Sequence, residues 1–334
     1  MTTSTAPAVP SGPHIEVRGL HRTYGTGPAA FEAVRGVDLV VEAGTVVALL
    51  GTNGAGKTSA LEVVEGLAPP SAGEVRVLGL DPVADRAEVR RRTGVLLQSS
   101  GFPADLTVAE TLRMWAATMT APRPVADALA DLDLAGRADV RVRALSGGEL
   151  RRLDLACTLL GEPEVVLLDE PTTGLDPESR RRVWELVAGL RDRGCSVLLT
   201  THHLEEAEEL ADRVAIMHAG RIVREGTPAQ LGADHPSTIR FEGTAAGLPD
   251  LHGLPAVARV GTDHGTTTIG SRDLQATLTA LLTAAADRDV RLPGLEARSA
   301  SLESVFLAIA SGEEPAPAPA PTPEPARPTG GAAR

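Results

Sequence analysis

The fold of this chain is decided by eight consecutive residues, Gly51-Thr52-Asn53-Gly54-Ala55-Gly56-Lys57-Thr58. They include the only lysine and the only asparagine of the 334-residue sequence, and every other strongly basic residue is an arginine. A compact, flexible ammonium group suits a phosphate cradle better than a wide planar guanidinium group. The stretch matches G-x-x-x-x-G-K-[ST], in which glycines let successive backbone N–H groups converge on phosphates. We therefore predict a nucleotide-binding P-loop, with Lys57 on the β- and γ-phosphates and Thr58 on Mg²⁺.

The residues that flank this loop support the prediction. Residues 45–50 form a continuous apolar run rich in β-branched side chains, as expected for a buried parallel strand. Residues 59–64 continue as a helix, whose N-terminal end favours negative charge. In this context a merely flexible glycine loop is the weaker interpretation. The nucleotide contacts predicted in this segment are Gly51, Thr52, Asn53, Gly54, Ala55, Gly56, Lys57, Thr58 and Ser59.

Strands and helices alternate from residue 14 to about residue 226, which predicts an α/β domain with a mainly parallel sheet. The strands predicted in this part of the chain lie at residues 15–17, 46–50, 94–97, 165–168, 197–200 and 214–217. Beyond Pro228 the pattern changes to short alternating strands, which indicates a separate small α+β domain. Its elements are predicted at residues 238–241, 257–260 and 266–269 for strands, and near 274–286 and 302–310 for helices.

These patterns divide the chain into four segments. Residues 1–13 and a Pro/Ala-rich tail at residues 313–334 are predicted to be disordered, because they cannot bury enough apolar surface to order themselves. Between them we predict a nucleotide-binding α/β domain at residues 14–228 and the small C-terminal α+β domain at residues 229–312.

Composition restricts the classes of function. The net charge of −12 and the lack of a dense Lys/Arg tract argue against nucleic acid as the principal partner. No apolar run approaches the 18 residues of a membrane span, and the N-terminus lacks the pattern of a signal peptide, so we expect a soluble chain. Cys157 and Cys195 lie in apolar surroundings and are predicted to be reduced core residues of a cytosolic protein.

A second acidic motif follows an apolar run at residues 165–168. The run ends in Asp169 and Glu170, and an acid in this position lies beside a P-loop when the two strands are neighbours in a parallel sheet. We predict that Asp169 holds Mg²⁺, directly or through water. Glu170 is predicted to orient and deprotonate the water that attacks the γ-phosphate. Such an acidic pair is common after any buried strand, and the P-loop is what favours the functional interpretation.

The sequence Leu145-Ser146-Gly147-Gly148-Glu149 lies between these two motifs and ahead of an apolar, arginine-rich helix predicted at residues 150–160. It resembles the LSGGQ signature of ATP-binding cassette (ABC) ATPases and departs from it only at Glu149. A serine and two glycines before a helix N-terminus favour an anion. The resemblance implies that two copies dimerise head to tail. Ser146, Gly147 and Gly148 of each copy would then close over the nucleotide in the other copy's P-loop.

Other segments resemble the same family residue by residue. Tyr24, the single tyrosine, lies where the family has an aromatic side chain that stacks on adenine. Gln98 resembles the glutamine that touches Mg²⁺ or the attacking water. Asp176 resembles a residue of the loop that crosses the dimer interface. His202 resembles the switch histidine that contacts the γ-phosphate, and its neighbour His203 is interpreted as a spectator.

The resemblance covers residues 14 to about 228 and implies a P-loop NTPase cassette, in which antiparallel β and helical subdomains accompany the sheet. It implies binding of ATP and Mg²⁺, ATP hydrolysis, and a separate integral-membrane permease that holds two copies at the cytoplasmic face of the membrane. The small C-terminal domain, which ends with residues 301–307, resembles the C-terminal extension of the daunorubicin-resistance type of this family, which favours export of a drug or secondary metabolite. Two alternatives stay open: a soluble cassette ATPase that acts on ribosomes or DNA, and a regulatory ATPase attached to a membrane protein.

Several polar groups have a structural explanation. Thr107 and Glu110 have the spacing of a helix capping box. Arginines at residues 180–182 are spaced to pair with Glu178 and Glu185 on a helix surface. The His202-His203 pair with the glutamates of residues 205–209 resembles a metal site, but a charge-rich helix face is more often solvated.

Overall fold

The computed structural model describes residues 12–98, 101–233, 236–243 and 247–311. The segments predicted to be disordered lie outside these ranges, apart from residues 12 and 13. The strands are β1 (Ile15–Tyr24), β2 (Phe31–Val41), β3 (Val46–Leu50), β4 (Ala72–Val77), β5 (Thr93–Leu96), β6 (Val165–Asp169), β7 (Ser196–Thr201), β8 (Arg213–His218), β9 (Arg221–Gly226), β10 (Ser237–Glu242), β11 (Val257–Asp263), β12 (Thr266–Ser271) and β13 (Glu296–Arg298). The helices are α1 (Lys57–Val64), α2 (Arg86–Arg92), α3 (Val108–Ala116), α4 (Val125–Asp131), α5 (Gly147–Leu159), α6 (Pro177–Asp192), α7 (Leu204–Leu210), α8 (Pro228–Ala233), α9 (Leu274–Ala286) and α10 (Leu302–Ser311).

The centre of the nucleotide domain is a six-stranded sheet in the order β5-β6-β7-β3-β8-β9. All pairs are parallel except β8 with β9. Strands β3, β6 and β7 are buried along their whole length, which explains their continuous apolar runs. Because the strands are parallel, the residues after β3, β6 and β7 meet at one edge of the sheet. This edge carries the P-loop, the acidic pair and His202.

A three-stranded antiparallel sheet, in the order β2-β1-β4, covers α1. Its inward residues share one core with α1 and one face of the central sheet. The prediction missed β2 and β4, and it ended β1 at residue 17, because these strands alternate apolar and polar residues or contain glycines. It also missed β9, an edge strand with a single buried residue.

Helices α3, α4 and α5 lie between β5 and β6 in the chain and pack together. Thr107 and Glu110 form the capping box predicted at the start of α3. Helix α5 begins at Gly147, three residues before the predicted start at residue 150. The physical reason is a second capping box, made by Ser146 and Glu149. Ser146 is the N-cap, so both glycines belong to the first turn of the helix.

The small C-terminal sheet has the order β11-β12-β10-β13 and is antiparallel. One of its faces packs on α9 around Ile239, Phe241, Ile269 and Leu281, a core separate from those of the nucleotide domain. The predicted strands and the helix at residues 274–286 are found close to their predicted bounds.

The last helix, α10, does not belong to this small core, and the prediction that placed it there is wrong. Leu302, Val305 and Ile309 are buried in the core of the nucleotide domain, together with Leu231 of α8. Helix α10 contacts α7, α8 and β8. The apolar face of α10 therefore covers the nucleotide domain, and the boundary at residue 229 separates α8 and α10 from the core they complete.

Cys157 and Cys195 are free and buried, as predicted. Burial raises the pKa of both thiols, that of Cys195 to about 11. None of the helices in the described ranges is both long and apolar enough to cross a membrane.

Candidate nucleotide-binding site

The P-loop connects β3 to α1 at the edge of the central sheet. Gly56 is the N-cap of α1 with φ of 105°, and a Cβ there would lie 2.3 Å from the carbonyl oxygen of Ala33. A Cβ on Gly51 would lie 2.6 Å from the carbonyl oxygen of Met217. The loop is thus packed so closely against β2 and β8 that glycine is required at both positions. No side chain caps α1, so its first N–H groups are left for a ligand.

Lys57 lies at the centre of the site. Its Nζ donates to the carbonyl oxygens of Gly51 at 2.8 Å and Thr52 at 3.3 Å, and it lies 3.9 Å from Oε1 of Glu170. The side chain is only 5% exposed. Burial lowers the pKa of Lys57, while the charges of Glu170 and Asp169 oppose that shift. The hydrogen-bond partners of the ammonium group are neutral backbone carbonyl oxygens. Negatively charged phosphate oxygens would be stronger partners.

Asp169 and Thr58 form a pair of oxygen donors next to the lysine. Thr58 Oγ1 lies 3.3 Å and 3.4 Å from the two carboxylate oxygens of Asp169. Thr200 of the neighbouring strand donates its hydroxyl to Oδ1 of Asp169 at 2.5 Å. A hydroxyl and a carboxylate beside a phosphate site are the ligands that Mg²⁺ takes in nucleotide enzymes, so these residues fit the predicted ion.

Glu170 is the residue after β6, and its side chain is held by two hydrogen-bonding neighbours. Its Oε1 lies 3.1 Å from Nδ1 of His202, and its Oε2 accepts from the hydroxyl of Thr173 at 3.1 Å. Its backbone N–H donates to Thr200, and its φ is +46°, a left-handed conformation that is uncommon for residues other than glycine. Backbone strain of this kind is concentrated at functional sites. The carboxylate is fixed yet partly open to solvent, as a proton acceptor for water requires.

The structure brings His202 into this cluster and leaves Gln98 at its margin. His203 stacks against His202 with ring centroids 4.1 Å apart, and burial lowers the pKa of His203. Gln98 lies two residues beyond the end of β5 with an exposed side chain. Within the described residues it makes no hydrogen bond to Asp169 or Glu170, so its predicted contact with Mg²⁺ or water stays a prediction.

Tyr24 is anchored beside α1. Its hydroxyl donates to Glu62 Oε2 at 2.8 Å and lies 3.1 Å from the hydroxyl oxygen of Ser59, which can donate to it. The guanidinium carbon of Arg22 lies 4.6 Å from the ring centroid, which covers one face of the ring. Ser59 therefore contacts the predicted adenine platform. The ring is fixed next to the helix that follows the P-loop, in a position suited to stacking on a base.

The signature loop, residues 145–149, forms a second group with Asp176. Ser146 accepts from the backbone N–H of Glu149 at 3.3 Å, and Glu149 accepts from that of Ser146 at 2.8 Å. Asp176 caps α6 by accepting from the N–H and hydroxyl of Ser179. A Cβ on Gly148 would lie 2.9 Å from that hydroxyl and 3.7 Å from Oδ2 of Asp176.

This second group is exposed at Ser146, Gly147 and Asp176. Within the described residues, no hydrogen bond joins it to Lys57 or Glu170. The predicted site residues thus form two separate clusters in one chain, one around the P-loop and one around the signature loop.

Three functional neighbours were missed by sequence reasoning. Glu149 was recognised only as a departure from the family pattern, although Ser146 and Glu149 have the same spacing as Thr107 and Glu110. Thr200, which holds Asp169, has no signal of its own in a buried strand. Arg151, which binds the backbone of Asp169 and Glu170, was detectable as a charged residue in an apolar helix.

Comparisons with known proteins agree with this geometry. A family model described as ABC transporter matches residues 34–173, and one described as ABC transporter domain-containing protein-like, C-terminal domain, matches residues 237–301. A daunorubicin resistance ATP-binding protein from Streptomyces coeruleorubidus is 38% identical over 306 residues, which is 88% of this chain and 94% of that protein. A Nod factor export ATP-binding protein I from Ralstonia nicotianae is 36% identical over 318 residues, or 92% and 97% of the two chains. The solved structure of cbiO1 from Clostridium perfringens, part of the ABC transporter complex cbiONQ, is similar with a TM-score of 0.60 and 27% identity, over 67% of this chain and 92% of that one.

Proposed function

The chain belongs to the ATP-binding proteins of ABC transporters, and we propose that it powers the export of a drug, antibiotic or other secondary metabolite through a separate membrane permease. Its activity is ATP hydrolysis. The observation that carries the export proposal is the similarity along nearly the whole chain to an ATP-binding protein of daunorubicin resistance and to one of Nod factor export. A location at the cytoplasmic face of the membrane is part of this proposal.

Hydrolysis follows from the cluster around the P-loop. The free N–H groups at the start of α1 and the ammonium group of Lys57 bind and position the phosphates. Thr58 and Asp169 would hold Mg²⁺, which when bound neutralises phosphate charge. Glu170 accepts the proton of the attacking water, and His202, at 3.1 Å, orients its carboxylate. Tyr24 presents the free face of its ring to adenine.

The signature loop acts in a second copy of the chain. Ser146 and Gly147 are exposed at a helix N-terminus, and within the described residues neither makes a hydrogen bond to Lys57 or Glu170 of its own chain. An anion site exposed in this way is complementary to a phosphate that another chain holds. We therefore propose an ATP-dependent head-to-tail homodimer, with Asp176 next to each signature loop.

The permease would contact the helical part between β5 and β6. Leu97, Met114 and Trp115 are large apolar side chains that are between 39% and 48% exposed there. Phe102 packs edge-on against Trp115 with ring centroids 5.9 Å apart. Exposed apolar side chains grouped in this way are typical of protein interaction sites. Leu97 is next to Gln98 in the chain, so a partner bound to Leu97 would be close to the edge of the nucleotide site.

Drug accumulation in cells tests the export proposal. We expect deletion of the gene to raise the accumulation of daunorubicin, which is measured by its own fluorescence. Wild-type protein should restore efflux, and Glu170→Gln at equal abundance should not, because it lacks the proton acceptor. Equal accumulation in all strains, combined with normal ATPase activity of the purified protein, would favour a regulatory ATPase instead.

A further inference from the structure

Arg151 lies in the first turns of α5, and its side chain crosses to two segments of the nucleotide site, the residue after β5 and the residues at and just after the end of β6. Its Nε donates to the carbonyl oxygen of Pro171 at 3.0 Å. Its Nη2 donates to those of Asp169 at 2.8 Å and Glu170 at 3.0 Å. Its Nη1 donates to the carbonyl oxygen of Leu97 at 2.6 Å. One guanidinium group thus holds the backbone of both catalytic carboxylates and the residue before Gln98.

The buried environment of this side chain explains why the four contacts require an arginine. Arg151 is only 8% exposed. Burial lowers its pKa, and the carboxylate of Asp154, 3.7 Å from Nη1, opposes that shift most strongly. A planar guanidinium group has five N–H donors at fixed angles, whereas a lysine ammonium is a single point with three. Only an arginine can therefore donate to these four carbonyl groups, which lie on two segments of the chain, at the same time.

The neighbouring Arg152 is directed to a different part of the molecule. Its Nη1 donates to the carbonyl oxygens of Leu132 and Asp133 and to the carboxylate of Asp133, which follow α4. Both arginines thus bind backbone carbonyl groups from the same helix, but only Arg151 contacts the segments that carry the catalytic groups. Arg152 is a matched control.

Arg151 donates to backbone carbonyl groups of the site and not to the side chains of Asp169 or Glu170, so we expect it to act through the residues it holds. We infer that Arg151 is a positioning residue for hydrolysis: it fixes the backbone of Asp169 and Glu170, and the segment that leads to Gln98, relative to the helix that begins at the signature loop. This inference rests on the proposed function, because in the head-to-tail dimer that helix closes over the nucleotide of the other copy. When the signature loop of one chain closes over the nucleotide of the second chain, Arg151 would transmit this closure to Asp169 and Glu170 at the nucleotide of its own chain.

The test compares Arg151→Lys with Arg152→Lys in the full chain. Lysine keeps the charge but cannot bind all the carbonyl groups of Arg151. A displacement of about 1 Å at a catalytic group costs about a hundredfold in rate. We expect Arg151→Lys to lower kcat for ATP by about tenfold to a hundredfold with KM nearly unchanged. Arg152→Lys should keep kcat close to the wild-type value.

Two further measurements separate positioning from stability. Both variants should melt at similar temperatures. Arg151→Lys combined with Glu170→Gln should still form the ATP-dependent dimer in size-exclusion chromatography, since closure itself does not require hydrolysis. If Arg151→Lys does not fold, Arg151→Gln is measured in the same assays. Loss of folding with both substitutions, or equal kcat for the Arg151 and Arg152 variants, would overturn the inference.

The proposed function has its own control in this series. If Glu170→Gln alone forms no dimer with ATP, the head-to-tail proposal fails and the link between the two sites fails with it. The kcat comparison of the two arginines still decides whether Arg151 positions the catalytic backbone within its own chain.

Discussion

Two helix N-termini of the molecule are predicted to bind phosphate, and they differ in capping. That of α1 has no side-chain cap, whereas that of α5 has a capping box. At the start of α1, Gly56 leaves the first N–H groups without a side-chain cap and Lys57 adds a positive charge. At the start of α5, Ser146 and Glu149 cap the helix with its own side chains. The carboxylate of Glu149 also forms an ion pair with Arg137 at 2.6 Å.

This difference explains what each end can do alone. The end of α1 has uncapped donors and a cation, so we expect it to bind nucleotide without a second chain. The end of α5 is stable without a ligand, and its negative residue is turned to Arg137 and to the N–H of Ser146. It therefore suits a contact that forms only when a second chain brings a phosphate to it.

The largest effect is expected for Glu170→Gln, which separates binding from chemistry. Removing a general base lowers the rate by about a hundredfold to ten-thousandfold, while the amide keeps the shape of the site. ATP should remain bound and hold two chains together. Size-exclusion chromatography with and without ATP measures this dimer.

Adding Ser146→Arg to Glu170→Gln tests the end of α5. A large side chain on the exposed cap should abolish the ATP-dependent dimer. Thr107→Arg, at the cap of α3 in the same kind of capping box, is the control and should leave the dimer intact. A dimer that survives Ser146→Arg would remove the signature loop from the interface.

Lys57→Ala tests the end of α1 and should have the next largest effect. Loss of one charged group that stabilises the transition state lowers kcat by about a hundredfold to a thousandfold. Lys57→Arg should also be damaging, because the wider head does not fit the closely packed loop. Hydrolysis by purified Lys57→Ala near the wild-type rate would contradict the assignment of the site.

A smaller effect is expected for Glu149→Ala, which opens the capping box of α5. Loss of a helix cap costs about 0.5–2 kcal/mol in the free energy of unfolding. Glu149→Gln, which can still cap, should be close to wild type. Glu110→Ala at α3 should also lower the melting temperature, and thermal melting compares the three variants. If Glu149→Ala alone is neutral, the cap of α5 does not contribute to stability.

The smallest effect is the pH dependence of that cap. The backbone hydrogen bond from Ser146, followed by smaller contributions that include Arg137, lowers the pKa of Glu149 below its usual 4.5. The stabilisation is therefore present above about pH 4.5 and is lost as the pH falls through the lower folded value. The difference in melting temperature between wild type and Glu149→Ala should shrink between pH 7 and pH 3.5. A difference that is constant over this range would exclude the carboxylate as its source.

Sequence reasoning found the residues whose chemistry depends on local patterns. The P-loop, the acidic pair after β6 and the helix at residues 274–286 follow from glycine spacing and from apolar runs, which are properties of neighbours in the chain. Strands β2 and β4 were missed because their apolar residues alternate with polar ones and are buried on one face only.

Contacts between distant segments could not be obtained in this way. Arg151 binds carbonyl groups of Leu97 and Pro171, which are 54 and 20 residues away in the chain. The apolar face of α10 was visible in the sequence, but nothing local indicated which core it would cover. Such choices depend on the assembled sheet rather than on spacing.

The route of the chain through α8, the small sheet and α10 has a consequence for how the two parts are joined. The polypeptide leaves the nucleotide domain after α8 and returns to it with α10, whose Leu302 and Val305 are buried there. The small sheet and α9 are therefore inserted between α8 and α10. They are connected to the nucleotide domain at both ends, unlike a C-terminal domain with a single linker. An inserted unit cannot rotate freely about a single chain crossing, so any displacement of it pulls on both α8 and α10. A displacement of the small sheet would therefore be passed through α10 to β8, the strand next to β3, which leads into the P-loop.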